Sequence, residues 1–189
     1  MDRIDRAGVE TLSGLHWPVV TPIAKVLSST HHLVFLVIAI VLTISLRRLS
    51  PVVMTVVAMV VAGRVGAILK DIIDRPRPPL GDHNVHALIA VPPDPSMPSG
   101  HALTSFTCAV VLAGFAPRWR IPLLVYAGLV ALSRPYLGVH YPSDVIVGAL
   151  VGVALGLLLN AAFRMGCRIR TERRRRSVDP IASEASEAS

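Results

Sequence analysis

The sequence predicts an all-α integral membrane helical bundle, with five to six transmembrane helices and an interfacial N-terminal helix. Two observations carry that prediction. Hydrophobic residues make up 52% of the 189 and charged residues only 16%, where soluble domains hold roughly 25%, and mean hydropathy is +0.59. Five apolar stretches then recur along a chain of single-domain length.

In chain order, residues 1–30 are the least apolar part before the tail. They carry Asp2, Arg3, Asp5, Arg6 and Glu10 and predict an amphipathic helix or hairpin at the membrane interface. A further span over Leu15–Leu27 is opposed by Lys25 and two prolines. The basic start and apolar core of a cleavable signal peptide are not found there. Residues 31–165 form the transmembrane domain, with apolar stretches at 31–46, 51–69, 101–116, 121–132 and 145–163. A span needs about 20 apolar residues. The second and fifth stretches meet this directly, and the others draw on flanking residues. In the fifth, Gly148, Gly152 and Gly156 recur every four residues, a small-residue stripe that lets helices approach closely in lipid. Proline-rich residues 78–98 predict a structured loop or lid. Residues 166–189 predict a basic, then disordered, cytoplasmic tail, in which arginines at 168, 170 and 173–176 continue the basic run begun at Arg164 and are followed by Ser, Ala and Glu.

The net charge of +7 would suit nucleic acid in a soluble protein. Here its C-terminal run sits beside an apolar helix, which marks a cytoplasmic flank and anionic headgroups, so no nucleic-acid partner is expected. Cys108 and Cys167 form neither a disulfide framework nor a metal-ligand spacing.

Three polar clusters interrupt the apolar pattern. Lys70 precedes Arg77-Pro78 by seven positions, Pro98-Ser99-Gly100-His101 opens the third stretch, and Ser133-Arg134, His140 and Asp144 lie between the fourth and fifth. Counting crossings puts all three on one side of the membrane. Arg47, Arg48, Arg118, Arg120 and the C-terminal arginines fall on the other, which the positive-inside rule makes cytoplasmic. The clusters therefore face outward from a cell or inner membrane.

Their chemistry is that of phosphoryl transfer. Arg77 and Arg134 supply planar forks for phosphate oxygens and Lys70 a point charge. Ser99 caps a helix, Gly100 lets backbone N–H groups approach an anion, and the positive helix end adds attraction. His101, next in sequence, points at the same anion as a general acid should. His140 and Asp144 share a helical face, so the carboxylate can fix the imidazole tautomer and leave the other nitrogen free to attack. A zinc site would need a third ligand, for which only His83 and His86 are spare, and no metal or cofactor is expected. Asp71, Asp74 and Arg75 read as local ion pairs, Arg64 as a functional or snorkelling charge, and Tyr136 and Tyr141 as an interfacial belt or pocket lining.

Together the three clusters resemble the signature of the type-2 phosphatidic acid phosphatase superfamily over about residues 30–165. The resemblance implies phosphate binding by the first and third clusters, a phosphohistidine at His140 oriented by Asp144, leaving-group protonation by His101 and no metal. It also implies an integral-membrane phosphatase acting on a lipid phosphate: polyprenyl diphosphate is favoured, with phosphatidylglycerol phosphate and phosphatidate as further candidates. A phosphotransferase using the same histidine, and a non-catalytic lipid transporter or binding protein, are the competing readings. The apolar spans weigh against the superfamily's soluble acid phosphatases and haloperoxidases.

Overall fold

The computed structural model describes residues 3–15, 17–81 and 85–187, with side chains to Arg174. Among these all regular secondary structure is helical, with no strand. Helix α1 spans Arg3–Gly14, α2 Val20–Leu46, α3 Ser50–Ile73, α4 Pro78–Gly81, α5 Gly100–Phe115, α6 Arg120–Tyr136 and α7 Pro142–Glu187, with a 3₁₀ turn at Pro117–Trp119. Helices α2, α3 and α7 are long and apolar enough to cross a membrane, while α5 is apolar but shorter. It is an all-α membrane protein.

Helix boundaries follow local chemistry. Proline opens α7 and sits in the first turn of α3, where its missing N–H is no loss. Arg47 and Asp74 cap α2 and α3 in the left-handed region, at φ 51° and 44°, and return their N–H groups to the last turn. Ser99 caps α5 in extended conformation, its side chain accepting from Ala102 N.

Two boundaries differ from expectation. The first apolar helix begins at Val20, not His31, so the expected boundary at residue 30 falls inside α2. Pro22 lies in its first turn, where it is tolerated, and Lys25 is exposed near the helix start. Helix α7 continues through residues 177–187, where a disordered tail was expected.

The core lies among α2, α3, α5 and α6, around Phe35, Ala39, Ala58, Cys108, Leu112 and Ala127. Helix α5 is the most enclosed element, and α7 reaches it by its glycine stripe. A Cβ at Gly148, Gly152 or Gly156 would lie 2.6, 2.5 or 2.6 Å from an atom of α5 or its cap. Glycine is required there by close backbone approach. The start of α2, the end of α3, the start of α5, the end of α6 and the start of α7 all gather at one end of the bundle. Arg47, Arg48, Arg118 and Arg120 lie at the opposite helix ends.

Candidate active site

Where α3 ends, two X-Pro steps hold Arg75 and Arg77 out of helical conformation and turn them back under the bundle. Arg77 is 2% exposed, with every guanidinium nitrogen engaged. It donates to Asp94 O at 2.8 Å, Asp94 Oδ1 at 2.7 Å and Val139 O at 2.9 Å. Its Nη1 also lies 3.1 Å from His140 Nε2. A guanidinium only donates, so Nε2 is the nitrogen carrying the lone pair and Nδ1 holds the proton.

That proton faces Asp144, whose Oδ2 is 3.5 Å from His140 Nδ1. This is ion-pair range, longer than a good hydrogen bond. Asp144 is fully buried and takes shorter bonds from Tyr141 N at 2.8 Å and Arg75 Nη1 at 2.7 Å. Burial drives the His140 imidazole down to about 4, assisted by Arg77 and Arg134 and opposed by Asp144. Neutral at pH 7, it is a lone-pair donor.

Lys70, one helical turn before the end of α3, donates to Asp94 Oδ2 and to Pro95 O at 2.7 Å. Burial raises the Asp94 carboxyl, but hydrogen bonds from Lys70 and Arg77 outweigh it and hold Asp94 at about 2. Arg134, in the last turn of α6 and 2% exposed, donates to Ser28 Oγ, and its Nε has no partner among the described residues. Ser28 Oγ in turn lies 3.4 Å from His101 Nε2. Ser99 is buried, and its N–H donates to Asp144 O at 2.9 Å, tying the start of α5 to the start of α7.

A cavity of about 320 Å³ opens at this end. Lys70, Arg77, Gly100, His101, Arg134 and His140 all line it, while Ser99 and Asp144 stand behind its wall. All eight expected residues are thus brought together. Small residues of α3 (Ala62, Gly63, Gly66 and Ala67) continue the cavity along the helix. A larger apolar cleft of about 690 Å³ between α2 and α6 reaches Arg118 and Trp119 at the far end, away from these groups.

Four contributors escaped sequence reasoning. Asp94 bridges the two cations of the first cluster. Ser28 and His31, three apart on one face of α2, meet the second and third clusters, with the His31 ring 4.5 Å from that of His101. Asp5 of α1 pairs with Arg75 at 2.7 Å. The Ser28–His31 spacing was available as a signal, but only once the helix was started at Val20. Arg75 does not pair locally. It reaches Asp5 and Asp144, each at 2.7 Å, and lies 4.2 Å over the Tyr141 ring. Asp71, Asp74 and Arg64 are exposed. Neither tyrosine belongs to a surface belt: Tyr141 is fully buried, and Tyr136 is 8% exposed with its hydroxyl 2.8 Å from Thr21 Oγ1. Among the described residues no three His, Cys, Asp or Glu side chains gather as a metal site, and His83 lies outside those residues.

The profile of the PAP2 superfamily matches residues 51–166, which contain all three clusters. The chain belongs to the PAP2 superfamily. This PAP2 protein is 39% identical over 102 residues to a decaprenylphosphoryl-5-phosphoribose phosphatase of Mycobacterium tuberculosis, covering 53% of the chain and 55% of the relative. It is 39% identical over 104 residues to an undecaprenyl-diphosphatase of Sulfolobus acidocaldarius, covering 54% and 50%. The match spans about half the length of these curated relatives. Among solved structures, Aquifex aeolicus LpxE superposes with a TM-score of 0.69 at 28% identity, covering 80% of this PAP2 protein and 91% of that chain.

Proposed function

We propose that this PAP2 protein is a metal-independent phosphatase that removes the terminal phosphate of a lipid phosphate or diphosphate through a phosphohistidine at His140. One observation carries the reading: the His140 nitrogen that holds the lone pair lies beside the Arg77 guanidinium, on the wall of a cavity shared with Lys70, Arg134 and His101.

The substrate phosphate displaces Asp94 from Lys70 and Arg77 and takes Arg134 as a third cation. The three spread the charge that develops on its equatorial oxygens. His140 Nε2 attacks phosphorus. As the N–P bond forms, the bond to the leaving oxygen breaks, and His101 gives that oxygen a proton. Asp144 stabilises the charge that attack places on the His140 ring. Water, deprotonated by His101, then attacks phosphorus; the N–P bond breaks, its electron pair returns to His140 Nε2, and inorganic phosphate leaves.

Polyprenyl diphosphate is the favoured substrate, supported by the name of the Sulfolobus acidocaldarius relative. A second reading, a phosphate on a sugar carried by a polyprenyl phosphate, is supported by the name of the mycobacterial one. The arginines at the far helix ends support a cytoplasmic C-terminus and an outward-facing site in the cell membrane.

The test is phosphate release by detergent-purified protein in EDTA. The panel is a polyprenyl diphosphate, a polyprenyl-phosphoryl phosphosugar, phosphatidylglycerol phosphate and phosphatidate. Wild type should release phosphate, and His140→Ala should lose at least about 10³-fold in kcat. Comparable release by His140→Ala removes the nucleophile assignment. No release from any lipid removes the phosphatase reading in favour of a transferase or a lipid carrier.

A further inference from the structure

We propose that Arg75 and Asp5 are positioning residues for the nucleophile, and that α1 is thereby part of the catalytic apparatus. The proposal rests on the reading of His140 given above. The geometry is a chain of contacts from α1 to the reacting imidazole. Asp5 Oδ2 accepts from Arg75 Nη2 at 2.7 Å. Arg75 Nη1 donates to Asp144 Oδ1 at 2.7 Å and to Ser143 Oγ at 2.7 Å. The opposite carboxylate oxygen, Asp144 Oδ2, faces His140 Nδ1. Asp5 Oδ1 closes the loop by accepting from Ser143 N at 3.0 Å.

A guanidinium is a rigid planar fork. With one nitrogen on each carboxylate, the place of Asp5 sets the angle of Arg75, and Arg75 sets which oxygen of Asp144 points at the imidazole. The plane is held from its face as well, by Tyr141 at 4.2 Å. Helix α1 is seated for this purpose: Val9 is fully buried against Val85 and Tyr141. Gly8 is so close to Pro142 that a Cβ would lie 2.8 Å from its ring. Asp5 itself is 6% exposed. A surface ion pair would need none of this enclosure.

Charge argues the same way. Asp144 must be ionised and aimed at Nδ1–H, yet Lys70, Arg77 and Arg134 surround the same cavity. An unneutralised Arg75 would draw Asp144 toward itself and away from a histidine that is already 3.5 Å distant. Asp5 balances Arg75 and leaves Asp144 shared. Arg75→Lys retains the charge but cannot hold two carboxylates in one plane. Asp5→Ala retains Arg75 but frees it to turn.

Vanadate and inorganic phosphate separate this role from a structural one. Vanadate adds a bond to the attacking histidine nitrogen, whereas phosphate binds through the cations alone. Each is measured by competition in the turnover assay and by calorimetry, on wild type, Arg75→Lys, Asp5→Ala and the double variant. Both single variants should bind vanadate at least tenfold more weakly than wild type, and phosphate within about twofold. Their kcat should fall about 10- to 100-fold at nearly constant KM, the scale of a misplacement of up to 1 Å. The double variant should be little worse than either, because the two act as one unit. Unchanged phosphate binding also shows that the pocket is folded. Parallel loss of vanadate and phosphate binding, or unchanged vanadate binding, overturns the proposal. So does a wild type that binds vanadate no more tightly than phosphate. Failure of the lipid panel with the vanadate split intact removes the substrate reading and leaves the positioning role standing.

Discussion

Substituting Gly148 by alanine tests how tightly the glycine stripe on α7 sets the site. The new Cβ would lie 2.6 Å from the Ser99 carbonyl oxygen and 3.1 Å from Ala102 Cβ. The nearest of these atoms is backbone, so no flexible side chain can swing aside. To reach ordinary contact near 3.4 Å, α7 and the start of α5 must part by about 0.8 Å. Gly148 is one helical turn past Asp144, about 6 Å along the axis. Ser99 is the residue that caps α5 beside His101 and donates its N–H to Asp144 O. The separation therefore falls between the attacking and proton-donating histidines. A misplacement near 1 Å costs about 10²-fold in rate. Gly148→Ala should accordingly lose about 10²-fold in kcat with a much smaller change in KM. Gly156→Ala meets Val110 Cβ at 2.6 Å, but about 12 Å further from the site. It should lower the melting temperature while kcat stays within about fivefold. Gly128→Ala, with nothing within 4 Å, is the silent control. The assay is phosphate release in detergent, with thermal unfolding measured on the same samples. A folded Gly148→Ala variant with kcat within about threefold of wild type would refute the reasoning.

Three further outcomes are expected. Activity should survive excess EDTA and be inhibited by vanadate, and a loss restored by zinc or magnesium would contradict the metal-free mechanism. Asp94→Ala should tighten inhibition by inorganic phosphate about fivefold, the scale of a half-exposed ion pair that the product no longer displaces; weaker inhibition would mean that Asp94 organises Lys70 and Arg77 instead of competing for them. Finally, His140 is held neutral by burial to about 4 against an ordinary 6.5, so the folded state binds fewer protons than the unfolded state between those values. The contribution of His140 to stability is then full above about pH 6.5 and falls by about 3 kcal/mol as pH drops toward 4. Thermal unfolding across that window should show a slope in wild type, and His140→Asn should make it shallower; equal slopes would assign the protons elsewhere.

Much of the site was legible because its chemistry is written in short spacings. His140 and Asp144, four apart, and Ser99-Gly100-His101 at a helix start carry their geometry locally. What joins the clusters was also legible, since an even number of crossings returns the chain to the same end of the bundle. Ser28 and His31 were hidden by the late start assigned to the first apolar helix. Propensity places that start poorly where Pro22 and Lys25 occupy a first turn that in fact tolerates both. Asp94 was hidden because a lone acid in a proline-rich loop has no period to mark it.

The sequence by itself determined the all-helical membrane character, the three clusters and the side of the bundle on which they meet. Apolar periodicity and residue chemistry are properties of the chain, readable without coordinates. Only the tertiary structure decided which counter-ion each charge takes. Asp94 sits on Lys70 and Arg77, Ser28 lies between Arg134 and His101, and Asp5 reaches Asp144 through Arg75. Ion pairing depends on distance and burial in three dimensions, and residues 5 and 144 become neighbours only when α1 folds back onto the start of α7.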